Sequence, residues 1–408
     1  MICGMTQIRV GILSSTMSEN SGGAHTLTTN LRNALIQNVL MDLRDIEIVL
    51  ININPPKATS GFSSANQNRL FEEISLPGPR RQKIERLSWL IGKLLKYIIF
   101  REKFDPFLNR AAPINKLLLK SKISVIWSLE PLSYPLEVPY INTVWDIAHR
   151  TSPYFPEVSS GNEWAKREKN NMRSIQQAYL NVVGTDVGAQ EVSRAYGVSN
   201  QRILINPFPV HNTEVNKIDC IRTPGMFFYP AQFWPHKNHA TLLRAISILK
   251  TMISSPLKLI LTGSDKGNLE YIRSLIDSLD LNDEVEIEGF VSRQRIIELY
   301  SQCGLFVFPS LIGPDNLPPL EAVASGAPLL VSRIPGHVEQ LGEAAKYFDP
   351  LDALELAVAM KKSIENPEEW RVNQEIADEI RLTRDYNTYI NAILGELNEL
   401  VKFRKVWA

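Results

Sequence analysis

A proline-rich segment that contains a glutamate is the strongest candidate for chemistry in this 408-residue chain. It reads Leu-Pro-Pro-Leu-Glu-Ala-Val-Ala-Ser-Gly over residues 317–326. Pro318 and Pro319 fit the start of a helix, where no intrahelical donor is needed, and Asn316 stands at the capping position. The amino end of such a helix attracts phosphate. We place Glu321 in the first turn, where a carboxylate can bind paired hydroxyls such as those of a ribose, although glutamate also favours this turn for structural reasons.

A second candidate is Lys237, in the segment Tyr-Pro-Ala-Gln-Phe-Trp-Pro-His-Lys-Asn-His over residues 229–239. A fixed cation stabilises the negative charge that builds on a diphosphate leaving group. His236 and His239 flank this lysine, but two histidines in one turn are more typical of caps or solvated side chains than of a metal site. The chain has no Asp-x-Asp motif at a predicted strand end, so we expect no required metal.

The order of elements predicts an α/β fold made of two doubly wound, Rossmann-like domains. Apolar, β-rich runs alternate with helical patterns in both halves, with strands predicted at 8–13, 46–51, 124–127, 140–145, 181–184, 226–230, 257–261, 285–288, 304–308 and 328–331. A linker rich in proline and polar residues lies at 206–224. We therefore predict an amino-terminal domain over 1–210 and a second domain over 225–385. Facing each other, they place the ligand-binding ends of both sheets in one cleft.

Composition indicates a globular chain, with 44% apolar and 22% charged residues. No apolar run approaches the roughly 20 residues of a membrane span. The amino terminus lacks the pattern of an export signal, and Cys3, Cys220 and Cys303 have neither paired nor metal-ligand spacing. We therefore expect reduced thiols and a cytoplasmic location.

The net charge of zero argues against a nucleic-acid binder, but basic residues concentrate at 80–103. Apolar residues recur there at helical spacing, at positions 84, 87, 91, 94, 95 and 98. A helix with one apolar and one cationic face can lie on an anionic membrane, here at its inner surface. The alternative is an ordinary amphipathic helix packed on its own sheet.

The two candidate segments together resemble the nucleotide-sugar-binding domain of glycosyltransferase family 4. In that family two glutamates separated by seven residues flank the donor; Glu321 matches the second, and Gly313 holds the position of the first. The segment 310–319, Ser-Leu-Ile-Gly-Pro-Asp-Asn-Leu-Pro-Pro, resembles a branch of the family with Gly-Pro-Thr-Asn-like segments. Lys237 matches the family's lysine, whereas Gln232 stands in place of its arginine.

The resemblance extends to other positions that line the donor in the family. Gly22 and Gly23, between the first predicted strand and helix, resemble a glycine loop whose amides approach the donor phosphates. Gly263 and Phe290 match positions that line the nucleotide, although Phe290 could equally be part of the core. The donor site implied in this way is completed by Gln232, Lys237, Asn316, Leu317 and Glu321.

On the amino-terminal side the resemblance implies an acceptor segment at 143–149, Thr-Val-Trp-Asp-Ile-Ala-His. Asp146 and His149 match a family aspartate and histidine, and Trp145 replaces a further histidine. We expect His149 to contact the acceptor hydroxyl or the leaving phosphate and Asp146 to orient it, so that both act with Lys237 in catalysis. Trp145 could stack on a sugar ring, although an aromatic residue at a strand end is more often part of the core.

The resemblance implies the two-domain GT-B fold, with a last helix within 386–408 that crosses back to the first domain. It implies a retaining transferase that moves a hexose-type sugar from a GDP- or UDP-linked donor to a saccharide or lipid-linked acceptor, in bacterial surface polysaccharide synthesis. The acceptor would attack the face from which the nucleotide leaves, with a phosphate oxygen taking its proton. No cofactor is expected beyond the donor itself.

Three other functions use similar domains. An NAD-dependent oxidoreductase normally has Gly-x-Gly-x-x-Gly after a strand, and the chain has no such run. A nucleotide-sugar epimerase would bind the donor without an acceptor. A non-catalytic binding or scaffold protein is the third alternative, because Gly313, Gln232 and Trp145 depart from the family pattern.

Overall fold

The computed structural model describes residues 8–15, 23–38, 46–53, 72–75, 108–210 and 222–404, together with the single positions 83, 87 and 91. Within these ranges thirteen strands form two sheets, and every strand pair is parallel. Parallel strands need crossover connections, and helices provide them on both faces. The predicted fold class is therefore confirmed.

The first sheet has seven strands in the order β3-β2-β1-β4-β5-β6-β7. They are β1 (Ile8–Ser14), β2 (Ile46–Asn52), β3 (Glu72–Ser75), β4 (Val125–Ser128), β5 (Tyr140–Thr143), β6 (Leu180–Val183) and β7 (Ile203–Ile205). The order reverses between β1 and β4, and this switch point opens a crevice at the carboxyl ends of the strands.

The second sheet has six strands in the order β10-β9-β8-β11-β12-β13, with its switch point between β8 and β11. They are β8 (Thr223–Pro230), β9 (Lys258–Thr262), β10 (Val285–Gly289), β11 (Cys303–Phe308), β12 (Leu329–Ser332) and β13 (Lys346–Phe348). The loop after β8 holds the lysine singled out in the sequence, and the proline-rich segment forms a helix, Leu317–Ala324, that follows the loop after β11.

The helices cover both sheets. Those between strands of the first sheet are α1 (Gly23–Asn38), α2 (Leu108–Lys120), α3 (Ala148–Thr151), α4 (Pro156–Ser159), α5 (Glu163–Gln177) and α6 (Asp186–Tyr196). The second domain has α7 (His239–Met252), α8 (Leu269–Ser278), α9 (Arg293–Gln302), α10 (Leu317–Ala324), α11 (Pro335–Leu341), α12 (Ala353–Glu365) and α13 (Gln374–Thr383). The last helix is α14 (Tyr386–Arg404).

Helix α14 follows the second domain in sequence but packs into the core of the first. Its buried face is made of Tyr389, Ile390, Ile393, Leu394 and Leu397. The ring of Tyr389 lies between two aromatic rings of the first domain, with centroids 6.4 Å from Trp127 and 6.1 Å from Phe208. The chain thus passes between the domains twice, once in each direction.

Most predicted strands lie within one or two residues of the observed ones, but three short edge strands were not predicted. These are β3, β7 and β13, each of three or four residues. In segments this short, the alternation of apolar and polar residues is too brief to distinguish a strand from a loop. The strand predicted over 140–145 ends at Thr143, so Trp145 lies beyond the sheet.

The predicted basic helix at 80–103 falls almost entirely outside the described residues. The three positions that are described, 83, 87 and 91, are helical. The side chains of Leu87 and Ile91 are 57% and 52% exposed. The predicted linker also falls partly outside, at 211–221.

Candidate active site

A cleft of about 750 Å³ lies between the carboxyl ends of the two sheets. The first domain contributes the amino-terminal turns of α1, together with Trp145 and Phe208. The second domain contributes the loops after β8, β9, β10 and β11. Both switch points therefore face one shared cavity, as expected for ligand sites in doubly wound sheets.

Lys237 lies in this cleft at the end of a short 3-10 helix, Pro235–Lys237, that follows β8. The loop is held firmly, because Tyr229 Oη donates to Lys237 O at 2.7 Å and Asn238 Nδ2 donates to Pro309 O at 3.1 Å. Lys237 Nζ lies 5.2 Å from the centre of the Phe308 ring. Burial lowers the pKa of Lys237 to about 8, against the charges of Asp146 and Glu157, which raise it.

Helix α10 begins at Leu317, as predicted, and its amino end faces the cleft. Asn316 occupies the capping position, but its side chain makes no capping hydrogen bond. Pro318 and Pro319 explain this, because the amides that a cap would accept from are absent in proline. The carboxamide is therefore available for other partners, and Lys237 Nζ donates to its Oδ1 at 3.2 Å.

Glu321 lines the cleft in the second turn of α10, so its predicted place in the first turn was wrong. Its Oε1 accepts from Arg293 Nη1 at 2.8 Å, and its Oε2 accepts from Tyr300 Oη at 3.1 Å. The carboxylate is therefore held in one orientation. Arg293 also lines the cleft, beside Phe290 on the loop after β10.

Gly263 and Gln232 form the floor of the cleft beside the lysine loop. Gly263 has φ of 148°, and a Cβ atom there would lie 2.2 Å from Ala231 O, so only glycine fits. Trp234 Nε1 donates to Gln232 Oε1 at 3.0 Å. Phe290 is 53% exposed and lines the cleft, so it is not a core residue.

The structure thus brings most of the predicted donor residues to one cavity: Gly23, Gln232, Lys237, Gly263, Phe290, Asn316, Leu317 and Glu321. Gly22 lies outside the described residues.

The acceptor-side residues are divided between the cleft and the protein interior. Trp145 lines the cleft. Asp146 is exposed, accepts from Ala148 N at 2.9 Å, and is close enough for its charge to raise the pKa of Lys237. Asp146 does not line the cleft, and its Oδ1 lies 3.6 Å from Arg167 Nη1. The contacts of His149 are with Glu168 and Tyr196 instead, so Asp146 does not orient this histidine.

His149 does not reach the cleft. Its side chain is fully buried, and Nε2 lies 3.2 Å from both Glu168 Oε2 and Tyr196 Oη. Burial lowers its pKa. Arg150 donates to the same glutamate, so His149 belongs to a network that ties α3 to α5 and α6. The expected contact with the acceptor hydroxyl or phosphate is therefore not made by this arrangement.

Several cleft residues were missed by sequence reasoning. Arg293 and Tyr300 hold Glu321, and the side chain of Asp315 lies beside Gly184 of the first domain. His236, thought to be a cap or solvated, meets Glu157 of the first domain, whose Oε1 accepts from His236 N at 3.0 Å. The available signal was position: Arg293 and Asp315 both follow the carboxyl end of a strand.

Parts of the sequence and the overall fold are similar to those of known proteins. Residues 212–379 match the family described as Glycosyl transferases group 1. Over 250 residues the chain is 27% identical to the serotype-specific mannosyltransferase WbdA of Escherichia coli, covering 57% of this chain and 31% of WbdA. Over 180 residues it is 28% identical to the O-antigen chain mannosyltransferase RfbU of Salmonella typhimurium, covering 43% of this chain and 48% of RfbU. The chain thus matches about a third of the first relative and about half of the second.

The whole structure is similar to that of sucrose-phosphate synthase from Thermosynechococcus elongatus. The TM-score is 0.70 at 15% identity, over 97% of this chain and 99% of that chain. The two-domain GT-B fold predicted from the sequence is therefore confirmed.

Within the described residues, no group of three or more His, Cys, Asp or Glu side chains is placed to hold a metal ion. In the same part of the chain, no helix has both the length and the apolar character needed to cross a membrane.

Proposed function

We propose that this protein is a retaining glycosyltransferase that moves a hexose-type sugar from a nucleoside diphosphate sugar to a saccharide or lipid-linked acceptor in bacterial surface polysaccharide synthesis. The observation that carries the proposal is the shared cleft, in which Lys237, the amino end of α10 and Glu321 lie on one wall. A cation, a helix amino end and a carboxylate are the groups that a diphosphate and a ribose require.

The donor is assigned to the second-domain wall. The diphosphate lies between Lys237 and the amino end of α10, where both stabilise the charge that develops as the sugar–phosphate bond breaks. Glu321 accepts hydrogen bonds from the ribose hydroxyls, and the Arg293 and Tyr300 contacts fix its orientation. The backbone near Gly313 and Asp315 approaches the sugar, since the usual carboxylate is absent at position 313.

The acceptor enters from the first-domain wall, past Trp145 and Asp146. Its hydroxyl attacks the anomeric carbon on the face from which the diphosphate departs, and a phosphate oxygen takes the proton. No protein nucleophile is required, and no side chain of the described cleft wall is assigned that role. His149 supports this wall from behind and does not touch the substrate.

The transferred sugar is proposed to be mannose, because the relatives WbdA and RfbU are named as mannosyltransferases. Transfer is proposed to need no metal. Added chelator should then leave the rate unchanged, whereas loss of activity that magnesium restores would contradict metal independence.

One experiment tests the function and separates it from the alternatives. The purified protein is incubated with GDP- and UDP-linked sugars and with saccharide and lipid-linked saccharide acceptors, and nucleotide release and product are followed. A transferase releases nucleotide only when the acceptor is present, an epimerase converts the donor sugar without an acceptor, and a scaffold protein binds the donor without either reaction.

The same assay tests the assigned residues. Lys237→Met should lower kcat/KM by about 10²- to 10³-fold, because it removes the only lysine among the described residues that line the cleft. Lys258→Met is the matched control. Lys258 lies at the end of β9 that is far from the cleft, where it pairs with Glu286 of β10. Equal activity in both variants would contradict the assignment of Lys237.

We also propose that the segment 80–103 contacts the membrane surface. The exposed side chains of Leu87 and Ile91, each at a helical position, lie within a basic stretch. The wild-type protein should float with vesicles that contain anionic lipid, and a variant with Lys93 and Lys96 changed to Glu should not. Equal flotation of the two proteins would favour the alternative in which this helix only packs on its own sheet.

A further inference from the structure

The side chain of Asn316 lies between Lys237 and a buried histidine that the proposed chemistry does not use. Asn316 Oδ1 accepts from Lys237 Nζ at 3.2 Å, and Asn316 Nδ2 lies 3.0 Å from His337 Nε2. His337 is on α11 and has no exposed surface. It does not line the cleft. It nevertheless stands two hydrogen bonds away from the ammonium group assigned to the diphosphate.

The hydrogen bonds of His337 determine which way the Asn316 amide points. His337 Nδ1 lies 2.9 Å from the backbone oxygen of Ser332, which can only accept, so Nδ1 carries the proton. Nε2 is then an acceptor, and burial lowers the pKa of His337 to about 4, which keeps the ring neutral. Asn316 Nδ2 must donate to Nε2. Its oxygen is therefore turned toward the ammonium of Lys237.

Two local features leave Asn316 free for this arrangement. Pro318 and Pro319 remove the amides that would otherwise hold the side chain as a helix cap. Gly313 leaves room, because a Cβ atom at that position would lie 2.3 Å from Asn316 Nδ2. A side chain at position 313 and this placement of the carboxamide therefore exclude each other. The glycine that replaces the family's glutamate at position 313 and the buried His337 therefore both serve to place the Asn316 side chain.

We propose that His337 is a positioning residue that acts through Asn316. It turns the neutral amide oxygen of Asn316 toward Lys237, and this oxygen holds the ammonium against the donor diphosphate. The proposal rests on the function proposed above. A carbonyl oxygen orients the ammonium without neutralising it, so the full positive charge remains available to the phosphates. A carboxylate in the same place would form an ion pair and repel the diphosphate.

The first test is a double-mutant cycle on donor binding and turnover. His337→Asn keeps a donor for Ser332 but is too short to accept from Asn316, whereas His337→Gln is long enough to accept. Asn316→Ala removes the acceptor from Lys237. We expect His337→Asn and Asn316→Ala each to weaken binding of GDP or UDP and to lower kcat/KM by about 10- to 100-fold, the range for a hydrogen bond to a charged group. His337→Gln should stay within about threefold of wild type.

The double variant separates positioning from general stability. If His337 acts only through Asn316, the variant with both His337→Asn and Asn316→Ala should bind the nucleotide as well as Asn316→Ala alone. The proposal would be overturned if the losses of binding in the two single variants added in the double variant and both single variants showed the same fall in melting temperature. His337 would then be only a core residue.

The second test needs no substrate. The ammonium of Lys237 is titrated in the free protein by NMR with lysine labelled at Cε. His337→Asn should lower its pKa by about one unit, because Asn316 Oδ1 is no longer held toward the ammonium and only Ser310 Oγ, at 3.5 Å, remains as an acceptor among the described residues. Asn316→Asp should raise it. The other charged groups that face Lys237, Asp146 and Glu157, are unchanged in these variants.

The two tests distinguish a failure of the proposed function from a failure of the positioning role. A wild-type protein that binds no nucleotide would refute the proposed function, while the shift in the Lys237 titration would still support the positioning role. An unchanged titration in both His337→Asn and Asn316→Asp would overturn the positioning role, even if sugar transfer is intact.

Discussion

The charge of Lys237 depends on pH within an accessible range, because burial brings its pKa down to about 8. A lowered lysine pKa means that the ammonium is present below pH 8 and lost above it. We therefore expect kcat/KM to be level from about pH 6 to 7.5 and to fall up to about tenfold per pH unit above pH 8. Steady-state rates measured across pH 6–10 check this.

The variant Lys237→Arg provides the comparison for this pH profile. A guanidinium stays charged throughout, so the variant should lose the alkaline fall even if its overall rate is lower. A wild-type profile that is level to pH 9.5 would mean that another cation, or none, binds the diphosphate.

At the scale of elements, the loops after β8 and β9 pack closely against each other through their backbones. The loop after β9 runs so near the loop after β8 that Gly263 has no room for a side chain, and its φ of 148° suits only glycine. Gly263→Ala should lower the free energy of unfolding by about 1–3 kcal/mol or more, because it combines backbone strain with a steric clash. Urea denaturation measures the difference.

Gly395→Ala is the control for this change. Gly395 lies in helix α14 with open space around it, so alanine should be neutral or stabilising there by up to about 1 kcal/mol. If Gly263→Ala unfolds at the same urea concentration as wild type, the close approach of the two loops is not rigid.

At the scale of the whole molecule, the two domains meet through short contacts beside the cleft. Glu339 of the second domain accepts from Val187 N at 2.9 Å, at the amino end of α6 in the first domain. A Cβ atom on Gly184 would lie 1.9 Å from Asp315 Oδ2 and 2.9 Å from the Phe208 ring. A side chain at position 184 would therefore displace the Asp315 side chain of the second domain and the Phe208 ring.

Gly184→Ala should open the cleft without unfolding either domain. We expect a larger radius of gyration in small-angle X-ray scattering and a fall in kcat/KM of about tenfold or more, because donor and acceptor walls no longer meet. The melting temperature should change little. A variant with wild-type scattering and activity would show that the contact yields by local movement.

Helix α14 makes the folding of the two domains interdependent. Tyr389 is buried between Trp127 and Phe208, and Asn206 Nδ2 donates to its backbone oxygen at 3.0 Å. Tyr389→Ala should reduce the stability of the first domain by about 3–5 kcal/mol, as expected for a large side chain removed from a core. The matched control Leu382→Ala, at a position that is 74% exposed, should change stability by no more than about 0.5 kcal/mol. Chemical denaturation followed by tryptophan fluorescence tests both, and equal midpoints would contradict the bridging role of α14.

The two doubly wound domains could be predicted from the sequence alone, and so could the residues that we assign to the donor wall. The reason is that strand and helix periods, helix-starting prolines and strand ends are local properties of the chain. Lys237, Gly263 and Glu321 each follow a predicted strand, so their meeting at one edge of a sheet could be predicted. Edge strands of three residues could not, because their pairing is set by neighbours distant in sequence.

Which polar side chains face the cleft, and which are buried behind it, could not be predicted from the sequence. Asp146 and His149 are three residues apart, yet the first is exposed and the second is fully buried against Glu168. Asn316 stands at a helix start in sequence, but its partners are Lys237 and His337, 79 and 21 positions away. Burial and hydrogen-bond direction depend on packing between elements, and no local pattern records them.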